Sequence, residues 1–62
     1  MKFKIGARCL HTGAVRFMEE KDYPAEPINT IDEAIKISIQ YAVDVTDETG
    51  SGWAWHVEEP QS

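Results

Sequence analysis

The segment from Thr30 to Asp47 decides what this chain folds into, because it satisfies two periodicities at once. Ile31, Ala34, Ile35, Ser38, Ile39, Ala42 and Val45 recur at helical spacing, with Glu33, Lys36, Gln40, Asp44 and Asp47 opposite. Ile35, Ile37, Ile39, Tyr41, Val43 and Val45 also alternate strictly with Lys36, Ser38, Gln40, Ala42, Asp44 and Thr46, the pattern of a strand rich in β-branched residues. Three features favour the helix. Thr30 followed by Glu33 is a capping box. Asp32 and Glu33 put negative charge at the positive end of the helix dipole. The strands read elsewhere in the chain also need a cover. The expectation is a helix from Ile31 to about residue 44.

The flanking segments alternate with period two. Phe3, Ile5, Ala7 and Cys9 share one parity and Lys2, Lys4, Arg8 and Leu10 the other, which predicts a half-buried strand with the first set inward. His11–Ala14 supplies a turn, with Gly13 free to take positive φ. Val15 and Phe17 are expected to resume the inward parity, with Arg16 and Met18 outward. Pro24 and Pro27 make 19–29 a loop. Asp47–Gly52 reads as another loop, before a strand with Trp53, Trp55 and Val57 inward and His56 outward. Pro60 ends it, and 59–62 is expected to be a loose tail. The order β-β-α-β predicts one small α+β domain over 1–62, a mostly antiparallel three-stranded sheet with one helix packed on one face.

A 62-residue chain has little core to spare. Its single cysteine makes no internal disulfide, so self-association or a larger partner is the expected further source of buried area. No apolar run reaches the roughly 18 residues that cross a bilayer. The start Met1-Lys2-Phe3-Lys4 is not followed by the core of a secretory signal, and the chain reads as complete and cytoplasmic. Charge is divided. Residues 1–18 carry Lys2, Lys4, Arg8 and Arg16 and no acid, whereas all 11 acids lie in 19–62 beside Lys21 and Lys36, for a net −5. That balance disfavours direct duplex nucleic-acid binding.

No catalytic, metal or cofactor set is read from the sequence. A nucleophilic cysteine needs a base within reach. Cys9 and His11 lie along one strand, and the expected sheet separates Cys9 from His56. The acids Glu19, Glu20, Asp22 and Glu26, and Asp44, Asp47 and Glu48, lack the spacing of a calcium loop. Gly50-Ser51-Gly52 precedes a strand, not the helix a phosphate loop requires.

The apolar surplus is more informative. Ile37 and Tyr41 widen the helical stripe beyond what one sheet face covers, and Trp53 and Trp55 crowd a short strand, so these four are the expected partner or self-association surface. The leading expectation is a small acidic non-enzymatic protein-binding module, a homodimer that inhibits or modulates a larger protein or complex. Phage and mobile-element counter-defence proteins offer an analogy of size and charge only. A second expectation is a nucleic-acid mimic using the acidic segment 19–62. A third is a small-anion binder on Lys4, Arg8 and Arg16, placed together on the outer sheet face.

Overall fold

The computed structural model describes residues 3–59. The tail expected at 59–62 therefore lies, from residue 60 on, outside the described residues. The elements are β1 (Lys4–Cys9), β2 (Val15–Phe17), a 3₁₀ turn (Glu20–Asp22), α1 (Ile31–Thr49) and β3 (Trp53–Glu58). The strands form an open antiparallel sheet in the order β2-β1-β3, and α1 packs on one face of it. This is the expected α+β arrangement.

Strand β1 is central and supplies the floor of the core, with Ile5, Ala7 and Cys9 buried. Opposed residues of an antiparallel pair share a face. Ile5 opposes Val57, Ala7 opposes Trp55 and Cys9 opposes Trp53, so both tryptophans face the helix, as expected. The helix answers with Ala34, Ser38, Ala42 and Val45, all buried. Small residues on both sides let it approach the sheet closely. The Ser38 hydroxyl consequently reaches the strands themselves, donating to Gly6 C=O at 2.6 Å and accepting from His56 N–H at 2.8 Å. Each of these buried polar groups thereby has a partner, which avoids a desolvation cost of about 1–3 kcal/mol.

The helix runs further than its pattern suggests. Asp47, Glu48 and Thr49, expected in a loop, form its last turn, and Gly50 closes it with φ 76, donating its N–H to Thr46 C=O. Two threonines stabilise this end. Thr46 and Thr49 hydroxyls each donate to the carbonyl four residues back at 2.8 Å, and then accept from Trp53, Thr46 from its main-chain N–H and Thr49 from the indole Nε1–H. The end of the helix is thus tied to the start of β3.

The hairpin corrects one expectation. Cys9 N–H donates to Ala14 C=O, which closes a turn over 10–13. That even-numbered turn sets odd residues of β1 opposite even residues of β2. Gly6 faces Phe17, Ala7 faces Arg16 and Arg8 faces Val15. Val15 and Phe17 therefore lie on the outer face and Arg16 on the helix side, the reverse of the expected parity. The 19–29 loop is also less featureless than expected. It holds the 3₁₀ turn, and the Tyr23 hydroxyl accepts from Ile5 N–H at 3.0 Å, just past the point where β2 ends.

Candidate interaction surface

The helix has two flanks over the sheet, and they are covered unequally. A helix turns 100° per residue, so with Ser38 and Val45 facing the sheet, Ile37, Tyr41, Asp44 and Glu48 lie on one side. Ile39 and Val43 lie on the other, with Lys36 and Asp47 next to them on the exposed ridge that points away from the sheet. The first flank sits over the hairpin. There Ile37 and Tyr41 are half-buried, and the Tyr41 hydroxyl lies 3.4 Å from the Phe17 carbonyl oxygen. Burial raises the Tyr41 phenol above its usual 10.0, with Asp22, Glu48 and Glu19 adding to the shift and Arg16 opposing it. Asp22, Asp44 and Glu48 share a groove with Ile37 and Tyr41, and Arg16 approaches Glu48 at 3.7 Å.

The second flank sits over β3, and among the described residues no further strand covers it. Ile39 is 47% exposed, Val43 51% and Trp55 47%. Together with the half-buried Trp53 they line one shallow groove, with Asp47 at its end. The four residues expected to form a single surface are therefore divided. Trp53 and Trp55 belong to this flank and Ile37 and Tyr41 to the opposite one. Ile39, which sequence reasoning assigned to the stripe covered by the sheet, and Val43, which the helical stripe did not include, replace them.

Beside this groove runs an open strand edge. Leu10 N–H donates to Gly52 C=O, so the main chains of Gly52, Ala54, His56 and Glu58 face β1, and those of Trp53, Trp55 and Val57 face away. Thr46 takes the Trp53 N–H. The N–H and C=O groups of Trp55 and Val57 are left at the edge. The two sheet edges contrast. β2 has three residues, carries Arg16 and leads into Glu19 and Glu20, which is how proteins blunt an edge. β3 has six residues, no proline and two tryptophans.

The outer sheet face does not assemble the expected basic trio. Lys4 and Arg8 lie on it, Lys4 opposite Glu58 with its Nζ 5.8 Å from the Phe17 ring centroid. Arg16 is on the other face with Glu48. Instead, Phe17 and His56 meet edge-to-face at 5.8 Å across Gly6, and His56 Nε2 lies 3.0 Å from the Glu58 carboxylate.

Cys9 is buried. Its thiol is lowered from 9.0 by the Thr12 hydroxyl and by hydrogen bonds from the Thr12 and His11 main chains, against an opposing effect of desolvation. His56 opposes Gly6 and so projects from the far face of the sheet, and Cys9 and His56 are not brought together. Among the described residues no helix is long and apolar enough to cross a membrane. No protein-family model, curated protein or solved structure matches this chain.

Proposed function

We propose that this domain is a non-enzymatic protein-binding module that works through the β3 flank of its helix, inhibiting or modulating the protein it covers. One observation carries the reading. Ile39, Val43 and Trp55 expose a contiguous apolar surface beside an unpaired strand edge, and a small soluble domain gains by covering such a surface with protein. Tryptophan within a pocket rim is also the residue type that dominates binding energy at interfaces. The separation of Cys9 from His56 gives no support to a thiol enzyme.

A photo-crosslinking amino acid at Val43, compared with one at the exposed loop residue Lys21, tests this. The expected result is a covalent adduct with protein, a second copy of the chain included, from position 43 and none from position 21. No adduct at 43, or equal adducts at both, would refute it.

A second reading has its own observation. The acids expected to lie apart in a loop and at a helix end converge, with Asp22, Asp44 and Glu48 around the groove of Ile37 and Tyr41. An acidic flank with a phenol at its centre suits a basic surface on a larger protein, in the manner of a nucleic-acid mimic.

A further inference from the structure

Resting on the reading of the β3 flank as the contact surface, we infer that its occupant is a second copy of this chain. The two copies pair β3 with β3 antiparallel about a two-fold axis, giving one six-stranded sheet with both helices on the same face. A two-fold axis perpendicular to the sheet makes both the edge strands and the helices antiparallel, so a single operation closes the assembly.

Two independent features locate that axis at the same place. On the strand, the outward main-chain groups belong to Trp55 and Val57, and placing Trp55 opposite Trp55 of the partner subunit forms a hydrogen-bonded antiparallel pair. On the helix, Lys36, Ile39, Val43 and Asp47 form one exposed-side stripe. Antiparallel helices set Ile39 against Val43 of the partner subunit and Lys36 against Asp47 of the partner subunit, which centres the helices near residue 41. The structure ties these two centres together. Ser38 is bonded to His56 and Thr46 to Trp53, so the middle of that helical span lies over the strand between Ala54 and Trp55.

Charge complementarity selects a second copy over a foreign strand. The stripe carries a cation at one end and an anion at the other around an apolar middle, so it is complementary to itself when reversed. The chain's size points the same way, since a 62-residue domain gains most from added apolar burial.

Sedimentation equilibrium from about 5 to 200 µM, with Trp fluorescence as a second readout, tests the inference. The expected result is a species of twice 7.0 kDa, with a blue shift in emission as Trp55 is covered. Lys36→Glu and Asp47→Lys, each placing like charges together twice per dimer, should each weaken association about tenfold. Mixing these two variants in equal amounts should restore it, because every contact in the mixed dimer again joins opposite charges. Val57→Pro removes an edge N–H that β1 does not use, and should abolish association with the far-UV circular dichroism retained. A single 7.0 kDa species over the whole range overturns the inference, as does a mixture that does not recover, or a folded Val57→Pro variant that still associates. Should the protein stay monomeric while Val43 crosslinks to another protein, the second copy falls and the contact surface stands. A monomer without any Val43 adduct removes both.

Discussion

Gly6→Ala is the change that most directly probes how this sheet is built. Gly6 is buried in the middle of β1 on the outer face, where the Phe17 and His56 rings meet across it. A Cβ there would run into the Arg16 carbonyl oxygen, and would lie 3.1 Å from both the Arg16 carbonyl carbon and the Phe17 Cα. All three are main-chain atoms, so no rotamer change relieves the clash and β2 itself must move. Overpacking of this kind costs about 1–3 kcal/mol. The entropy that alanine removes from the unfolded chain offsets about 0.4–1 kcal/mol of that. A net loss of about 1–2 kcal/mol is expected, against a total of about 3–9 kcal/mol for a chain this long. With a urea dependence of about 1 kcal/mol/M, the unfolding midpoint should fall by about 1–2 M. Tryptophan-detected urea unfolding at one fixed protein concentration measures it, because association adds stability by mass action. Gly52→Ala is the control, since its Cβ would meet only the flexible Leu10 Cδ1 at 3.4 Å. A Gly6→Ala variant within about 0.5 kcal/mol of the parent, or no more affected than Gly52→Ala, would refute this account of the β1–β2 contact.

Two further outcomes follow from particular side chains. Cys9→Ala should lower stability by about 1–2 kcal/mol through lost packing and leave partner binding intact at a temperature where the variant is folded; a folded variant without binding would assign the thiol a functional role. Tyr41 holds its proton more tightly folded than unfolded, because burial raises its phenol above 10.0. Its contribution to stability is therefore complete below that pH and is lost as the pH rises past it. Urea unfolding at stepped alkaline pH should show this decline, and Tyr41→Phe should flatten it.

What could be read from the sequence was whatever local chemistry determines. Thr30 caps the helix as its residue type demands, accepting from Glu33 N–H at 3.2 Å, and this outweighed the perfect strand alternation of 35–46. The Glu33 carboxylate reaches back to Asn29 N–H at 3.4 Å, one residue beyond the usual partner. The inward face of Trp53, Trp55 and Val57 was legible for the same reason, since alternation within one strand is local. Hairpin parity was not. It depends on whether Cys9 pairs with Ala14 or with a neighbour, and shifting that pairing by one residue exchanges the faces of Val15, Arg16 and Phe17. Nor was the uncovered flank. Ile37 with Tyr41, and Ile39 with Val43, flank the buried line on either side, and only the position of β2 and β3 beneath the helix decides which pair is sheltered. Gly6 gave no signal at all, because its need for space comes from a strand ten residues away.

The unequal flanks also constrain how the domain can meet something larger. A two-fold pairing through β3 carries the apolar flank into the centre of the assembly and leaves the flank of Tyr41, Asp22, Asp44 and Glu48 at each outer side. The outer sheet face offers a weaker electrostatic handle, because Lys4 stands opposite Glu58 and the hairpin register places Arg16 on the other side, near Glu48. A larger partner that binds the paired form therefore meets acid arrayed around a phenol, twice, at two symmetry-related positions. Binding of that kind rests on charge steering more than on apolar burial, and it weakens as salt screens charges beyond about 8–10 Å. Self-association through Trp55, Ile39 and Val43 rests mainly on apolar burial, with Lys36 and Asp47 contributing only at the rim. The two contacts separate on this axis. Raising the salt concentration should release a partner held by the acidic flank well before it dissociates the paired chains.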